Sequence, residues 1–243
     1  MTDDVATPGA LGAAAVRDRV LENPVWSALT GPQSAVAERT GRAARYPVEI
    51  SVFAALDDDP DEAAWNDAAR LAPSDPMVLV APRSSPPDDW EIRTNIASLQ
   101  MLAETLDVAP DPEAVPLGPN DVPEVLALIS RTRPGPFLAR TMELGDYLGV
   151  RRDGVLVAMA GQRMRLPGWT EISAVCTDES VRGSGLASRL VRAVATAIRE
   201  RGDGVLLHVA VTNTNAIRLY RALGFVEHRE IDFVVLTAPK PGT

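Results

Sequence analysis

Several residue types that support particular chemistries are scarce in this chain of 243 residues. Cys176 is the single cysteine, so neither an internal disulfide nor a cysteine-based metal site can form. His208 and His228 are the only histidines, too few for a histidine metal cluster. A Ser-His-Asp hydrolase is not indicated either, because no serine lies in a Gly-x-Ser-x-Gly turn. The sequence therefore predicts no bound metal.

Long apolar runs are also absent. No stretch approaches the roughly 18–20 apolar residues that a membrane-spanning helix needs. The N-terminal stretch MTDDVATPGALGAAAVRDRV is acidic where a signal peptide is basic, and it lacks a sustained apolar core. We therefore expect a cytosolic (cytoplasmic) protein without a membrane partner.

Charge is unevenly distributed along the chain. The first 111 residues contain 19 acidic and 8 basic residues, a net charge of −11. Residues 112–243 contain 14 acidic and 16 basic residues, a net charge of +2. This difference indicates two units with different roles. The overall net charge of −9 and an aromatic content of 5% argue against nucleic-acid binding, but the second unit is compatible with a local anion site.

A proline-rich acidic stretch, VAPDPEAVPLGP at 108–119, separates the two units and is typical of a linker. We therefore predict an N-terminal α/β domain over residues 1–110 and a second domain over residues 113–243. In the first domain the pattern indicates strands near 48–56, 76–82 and 90–102, and helices near 11–21, 33–42 and 61–72. The first domain contains no motif that indicates its function.

The second domain alternates helices and strands as a single mixed sheet does. A helix from Asn120 to about Arg131 comes first, and Asp153-Gly154 between two apolar runs predicts a hairpin. The remaining elements are a strand at 169–177, a helix at about 185–201, a strand at 205–211, a helix at about 214–222 and a strand at 225–237. The predicted class is α/β with a mixed (α+β) sheet.

A glycine-containing turn, Arg182-Gly183-Ser184-Gly185, opens the helix at about 185–201. The start of a helix exposes unpaired backbone N–H groups at its electropositive end, and glycine lets a ligand approach the backbone closely. The turn is thus either an anion site, typically for a phosphate, or a plain polar turn. A P-loop is excluded because its motif needs a lysine after the second glycine, and the single lysine of the chain is Lys240. A dinucleotide fingerprint is not indicated either, because Ser188 stands where that motif has its third glycine or alanine and the flanking pattern is mixed rather than repeated βαβ.

Two sequence blocks together resemble the GNAT superfamily of acyl-CoA-dependent N-acyltransferases. Residues 182–187, RGSGLA, are similar to its Arg/Gln-x-x-Gly-x-Gly/Ala turn, and residues 213–225, NTNAIRLYRALGF, to its Asn-x-x-Ala-x-x-x-Tyr-x-x-x-Gly-Phe segment. The resemblance covers about residues 113–238. The strand at 169–177 also resembles the C-terminal domain of glycine N-acyltransferase-like members. In some of those members the first half is a degenerate copy of the same fold, which would suit residues 1–107 here.

The resemblance implies a binding site for acetyl-CoA as cosubstrate. Its pyrophosphate would lie on the backbone amides of about 183–187, and its pantetheine arm would pair with a strand where strands 169–177 and 205–211 splay apart. The cofactor-binding residues so implied are Val175, Cys176, Thr177, Arg182, Gly183, Ser184, Gly185, Leu186, Ala187, Asn213 and Ala216. Asn213 is equally well explained as a helix cap.

Two catalytic residues are implied as well. Tyr220 matches the family tyrosine that protonates the coenzyme A thiolate, the alternative being a packing role. Glu171 is the candidate base, because many members of the superfamily place a carboxylate near this position, often acting through water. Strict alternation puts it on one strand face with Ser173, Val175 and Thr177, and the alternative is a solvated or salt-bridged strand residue. The same alternation puts Cys176 on the opposite face. His208, in an apolar strand, is expected to be a core histidine.

The expected function is acetyl transfer from acetyl-CoA to a primary amine by direct transfer in a ternary complex. The acceptor would be a small molecule, an amino acid or a peptide end, and the protein a monomer or homodimer. Arg140, Met142 and Glu143 fall where this superfamily usually builds its acceptor site. Trp169, at the start of its strand, is either part of the acceptor pocket or an anchor in the core. The alternative is a non-catalytic acyl-CoA-binding regulatory or interaction module.

Overall fold

The computed structural model of the chain describes residues 19–73 and 75–239. Its strands are β1 (Glu38–Thr40), β2 (Ala43–Arg45), β3 (Phe53–Leu56), β4 (Met77–Val80), β5 (Glu91–Ala103), β6 (Val115–Leu117), β7 (Tyr147–Arg152), β8 (Val155–Leu166), β9 (Trp169–Thr177), β10 (Gly204–Ala210) and β11 (Phe225–Thr237). Its α-helices are α1 (Pro24–Leu29), α2 (Glu62–Leu71), α3 (Val122–Thr132), α4 (Leu186–Glu200) and α5 (Thr214–Ala222). Among these described residues, no helix is both long enough and apolar enough to cross a bilayer.

All eleven strands belong to one mixed sheet, in the order β1-β2-β3-β4-β11-β5-β10-β9-β8-β7-β6. Two pairs are parallel, β3 with β4 and β9 with β10, and in each the connection is a helix, α2 and α4 respectively. The other pairs are antiparallel. The α/β class with a mixed sheet predicted from the sequence is confirmed.

The second half folds closely as its sequence pattern predicts. Asp153 (φ 51°) and Gly154 (φ 81°) form the left-handed turn that joins β7 to β8. Helix α4 buries its apolar stripe, which includes Leu190, Val194 and Ile198, against the sheet. The helix expected from Asn120 begins at Val122, after a 3₁₀ turn over Pro119–Asp121.

The first half departs further from its sequence pattern. The segment predicted as a helix at 33–42 is a 3₁₀ turn (Ser34–Val36) followed by strand β1, so that prediction is wrong. The strand predicted at 48–56 is limited to β3, because residues 48–50 form a turn. The predictions at 61–72, 76–82 and 90–102 correspond to α2, β4 and β5. Most of the helix predicted at 11–21 lies outside the described residues.

Each half contributes its last strand to the other half's part of the sheet. Strand β5 lies between β10 and β11, and β11 lies between β5 and β4. The strand order of the first half, β1-β2-β3-α2-β4-β5, repeats that of the second, β7-β8-β9-α4-β10-α5-β11, apart from the added α5. This repetition is what the degenerate-copy hypothesis expects. The domain boundary at 110–113 stays a prediction.

The two halves also share a hydrophobic core. One buried cluster combines Leu21 and Phe53 from the first half with Met164, Leu206 and Ile231 from the second. A separate cluster beneath α4 and α5 contains Val194, Leu207 and Tyr220. The first cluster attaches the N-terminal half to the face of the sheet opposite α4. Both faces of β9 and β10, where the candidate site lies, are therefore covered.

Candidate active site

Strands β9 and β10 pair over only three positions and then separate. The last pair joins Glu171 to Leu206, and the pairing does not continue toward Thr177 and Ala210. A splay between these strands was expected from the family resemblance, and the register shows it. The β9 edge that faces the gap is therefore available to an extended ligand with amide groups.

A β-bulge changes the faces of β9 beyond Ser173. The register with β8 shifts between Met159↔Cys176 and Gly161↔Ser173, and Ala174 adopts a left-handed φ of 54°. Cys176 consequently packs in the same hydrophobic cluster as Tyr147, whose hydroxyl interacts electrostatically with the Glu171 carboxylate. The strict alternation used to place Cys176 opposite Glu171 is therefore wrong beyond the bulge.

A cleft of about 270 Å³, here called the splay cleft, adjoins the unpaired end of β9 and is bordered by α3, β9, α4 and α5. Eight residues predicted from sequence line this splay cleft: Val175, Cys176, Thr177, Arg182, Ala187, Asn213, Ala216 and Tyr220. The residues that complete the lining are Thr132, Arg133, Pro134 and Leu219. Among residues 19–73 and 75–239, the lining contains two arginines and no carboxylate, a charge balance that suits an anionic ligand.

The start of α4 lies at the mouth of the splay cleft and is uncapped. Gly185 takes the N-cap position with φ 79° and ψ 2°, and no side chain accepts a hydrogen bond from the first turn. Around Gly183 and Gly185 an added Cβ would meet no atom within 4 Å, so the backbone faces open space. Leu186 instead is buried in the core. The first-turn N–H groups therefore remain available to an anion.

Tyr220 borders the splay cleft from α5. Its ring packs edge-on against Phe225, with the ring centroids 5.7 Å apart, and 8% of the residue is exposed. Burial raises the pKa of the Tyr220 hydroxyl to about 12. The hydroxyl therefore carries a proton at neutral pH and can donate it into the cleft.

Asn213 and Cys176 have structural roles at the same cleft. The Asn213 side chain accepts a hydrogen bond from the backbone N–H of Ala216 at 3.2 Å, which caps α5. Burial raises the pKa of the Cys176 thiol to about 11, so the thiolate nucleophile is scarce at neutral pH. Cys176 therefore acts as a small apolar wall of the cleft.

Glu171 lies outside the splay cleft lining and is completely buried. The Arg163 guanidinium donates to both carboxylate oxygens, at 2.8 and 2.5 Å, and His208 Nδ1 lies 2.7 Å from Oε1. Burial alone would raise the pKa of Glu171, but the charge and hydrogen bonds of Arg163, together with the hydrogen bond to His208, outweigh it and lower the pKa to about 2. The base role of Glu171 stays a prediction.

Arg163 and the C-terminal end of α3 were not predicted from the sequence as parts of the site. Arg163 lies in an irregular part of β8, where the register with β9 shifts between Gln162 and Arg165. Arg133 ends α3 with a left-handed φ of 49° and is followed by Pro134, a helix-stop pattern that the sequence did show. No sequence pattern places either arginine beside β9.

The residues suggested for an acceptor pocket are dispersed. Arg140 and Glu143 form an exposed ion pair with each other. Met142 packs against the buried cluster that includes Leu128 and Tyr147, here called the α3 cluster. The Trp169 ring packs over Gly204, where an added Cβ would lie 2.4 Å from it. Trp169 therefore anchors the paired end of β9 and β10, away from the splay.

Solved structures of acetyltransferases share this architecture. The chain is 38% identical to a putative acetyltransferase from the GNAT family of Novosphingobium aromaticivorans, with a TM-score of 0.82 over 90% of this chain and 98% of that chain. A GCN5-related N-acetyltransferase from Kribbella flavida has the same fold at 18% identity, with a TM-score of 0.61 over 91% of this chain and 96% of that chain.

Sequence comparisons cover the second half. The family model described as FR47-like protein matches residues 147–234. The chain is also similar to mycothiol acetyltransferases of Thermobispora bispora (45% identity over 56 residues, 23% of this chain) and Brachybacterium faecium (38% over 85 residues, 33% of this chain). The chain spans only 19% and 26% of the length of these two curated relatives.

The similarity to these solved structures identifies the fold as that of an acyltransferase. The near full-length similarity to the Novosphingobium protein narrows this class, and the chain belongs to the GNAT family of acetyltransferases.

Proposed function

We propose that this protein transfers an acetyl group from acetyl-CoA to a primary amine of a small molecule, an amino acid or a peptide, by direct transfer in a ternary complex. The observation that carries the proposal is a shared cleft: the uncapped start of α4, the splayed edge of β9 and the Tyr220 side chain all border it. The three features correspond to three needs of the reaction, namely an anion site, an amide-pairing edge and a proton donor.

The residues present fit acetyl-CoA in charge and shape. The backbone amides of about 183–187 would bind the pyrophosphate, and Arg182 at the cleft would add positive charge. The backbone of Val175 and Thr177, on the unpaired edge of β9, would pair with the amide groups of the pantetheine arm. Cys176, Asn213 and Ala216 would form the remaining walls. Acetyl-CoA supplies the activated acetyl thioester when bound.

Tyr220 is the proposed general acid. A thiolate leaving group needs a proton, and the Tyr220 hydroxyl, which borders the splay cleft, is protonated at neutral pH. A backbone N–H near Val175, at the bulge, would polarise the thioester carbonyl. Val175 and Tyr220 both line the splay cleft, and the acetyl group would be held there.

For Glu171 the geometry favours a fixed charge over a mobile base. Both oxygens already accept hydrogen bonds from Arg163, and Oε1 is also paired with His208. A carboxylate with a pKa of about 2 is a weak proton acceptor at neutral pH. The acceptor amine would then lose its proton to water before attack. Replacement of Glu171 by glutamine distinguishes the two roles, as described in the Discussion.

The acceptor is tested by two measurements on the full chain. A thiol-release assay would combine acetyl-CoA with a panel of amines, amino acids and short peptides, and calorimetry would measure binding of acetyl-CoA alone. We expect binding, with turnover on a subset of amines. Binding without turnover on any amine would contradict the amine acceptor, and absence of binding would contradict the entire proposal.

A further inference from the structure

We propose that His208 is a positioning residue that fixes the point at which β9 and β10 separate, and through β9 the position of the splay cleft. Its side chain bonds to Glu171 at the point where the two strands part. The inference rests on the proposed function, because the acetyl thioester would have to lie in that cleft.

The side-chain bond begins where the backbone pairing ends. The last backbone pair joins Glu171 of β9 to Leu206 of β10, and His208 is the next β10 residue on the same face. His208 Nδ1 lies 2.7 Å from Glu171 Oε1, across the gap between the two strands. This contact therefore ties the strands together on the face opposite α4, and the cleft can open only beyond it.

Both ends of this tie are held by further contacts. Arg163 binds both oxygens of Glu171, and its guanidinium lies 4.6 Å from the centroid of the Phe53 ring. On the other side Gln100 Nε2 lies 3.0 Å from His208 Nε2. Four side chains therefore form one row across β8, β9, β10 and β5.

The contacts of Gln100 fix the tautomer of His208. Gln100 Nε2 also donates to the backbone carbonyl of Leu21 at 3.1 Å, so its amide nitrogen must face that carbonyl. His208 Nε2 then accepts from the same amide nitrogen, and Nδ1 keeps the proton that it donates to Glu171. Because the ring lone pair is used, His208 has a structural bond on each side and is unsuited to remove a proton from an amine.

The tie should affect the chemical step more than binding. Its side chains are almost fully excluded from water, 2% exposed for His208 and 0% for Glu171, so the bond is not weakened by solvent. Arg182 and Ala187, beside the proposed pyrophosphate site at the start of α4, line the splay cleft, whereas His208 and Glu171 do not. Loss of the tie would displace the thioester relative to Tyr220, and a displacement of about 1 Å can cost roughly 100-fold in rate.

Two substitutions at one position provide the test. His208→Leu removes the donor, whereas His208→Asn places an amide nitrogen close to the original Nδ1 position and retains it. For His208→Leu we expect kcat to fall at least about tenfold, a dissociation constant for coenzyme A within about twofold of wild type, and faster hydrogen exchange at the Leu207 and His208 amides. For His208→Asn we expect recovery of most of kcat. Unchanged kcat in His208→Leu, or an equal loss in both variants, would overturn the inference.

A second variant applies if His208→Leu does not fold. Gln100→Met removes the hydrogen bonds that Gln100 makes with His208 and with the Leu21 carbonyl, so the His208 ring is held by Glu171 alone. We expect kcat to fall severalfold at unchanged coenzyme A affinity. Unchanged kcat there would also overturn the inference. Failure of the proposed function is recognisable separately, because wild type itself would then not bind coenzyme A or release thiol from acetyl-CoA.

Discussion

The two parallel crossovers of the sheet have the same connectivity but opposite helix starts. In β3–α2–β4 the turn before the helix is acidic, and the Asp61 side chain caps α2 by accepting from the Ala64 N–H at 3.0 Å. In β9–α4–β10 the corresponding position is Gly185, in a left-handed conformation without a side-chain cap. A carboxylate of the protein thus occupies one helix start, and the other is left for an external anion.

The two crossovers also differ in the space beside their parallel strands, which is open beside β9 and closed beside β3 and β4. The splay cleft measures about 270 Å³, whereas the cavity between β3 and β4 measures about 10 Å³. Asn23 closes that cavity by donating to the Leu56 carbonyl at 2.9 Å, and Trp65 closes it by donating to Ser84 at 3.1 Å. Shared topology therefore creates two potential sites, and a few side chains leave only the second one open.

The last paired positions also differ, since Ala54 ends the β3–β4 pairing where Glu171 ends the β9–β10 pairing.

Glu171→Gln should destabilise the protein by about 3 kcal/mol, because Arg163 is left buried without its counter-charge. The folded-state pKa of Glu171 is lowered, so its stabilisation is present above the ordinary value of 4.5 and is lost as the pH falls toward 2. The unfolding free energies of variant and wild type, measured with denaturant, should therefore converge as the pH falls over that range.

The same variant separates the two roles of Glu171 in catalysis. We expect the pH–rate profile of Glu171→Gln to keep its shape, because a fixed charge does not exchange protons with the acceptor. A loss of rate concentrated at low pH would instead establish Glu171 as the base.

Tyr220→Phe tests whether the open cleft contains the proton donor. Loss of the hydroxyl should lower kcat by about 100-fold, the usual lower range for a general acid. The dissociation constant for acetyl-CoA should change little, because the phenyl ring still packs against Phe225. Unchanged turnover would remove Tyr220 from the mechanism.

Gly185→Asp would give α4 a carboxylate at the N-cap, as Asp61 does for α2. We expect affinity for acetyl-CoA to fall by about tenfold or more, from like-charge repulsion and from the left-handed φ of 79°. Gly202→Asp is the matched control, since Gly202 has φ 82° and open surroundings at the other end of α4. Calorimetry that shows equal losses in the two variants would contradict the anion site.

Asn23→Ala tests the closed cavity of the first half. The Asn23 amide is 4% exposed, and its removal leaves the Leu56 carbonyl without this donor, which should cost about 1–2 kcal/mol in unfolding free energy. Acetyl-CoA should bind with a stoichiometry of one per chain in both wild type and variant, because Asp61 still caps α2. A second binding event in calorimetry would show that the two crossovers are more alike than their helix starts indicate.

Predictability differs between the halves for a physical reason. In the second half, hairpin, helix caps and apolar stripes are local signals, and β9 and β11 have the predicted bounds. In the first half the short strands β1 and β2 have no alternating apolar pattern of their own; β1 pairs with β2, and β2 pairs with β3. The segment 33–42 was mistaken for a helix because apolar spacing over so short a stretch does not distinguish the two structures.

The sequence by itself determined the mixed-sheet class, the glycine turn at the start of α4, and the positions of Tyr220 and Asn213 on α5. These follow from local rules of capping, periodicity and turn chemistry. Only the tertiary structure decided that β5 lies between β10 and β11, that the bulge at Ala174 turns Cys176 toward the α3 cluster, and that Glu171 is held by Arg163 and His208. Those features depend on strand pairing and burial between distant segments, which no local pattern encodes.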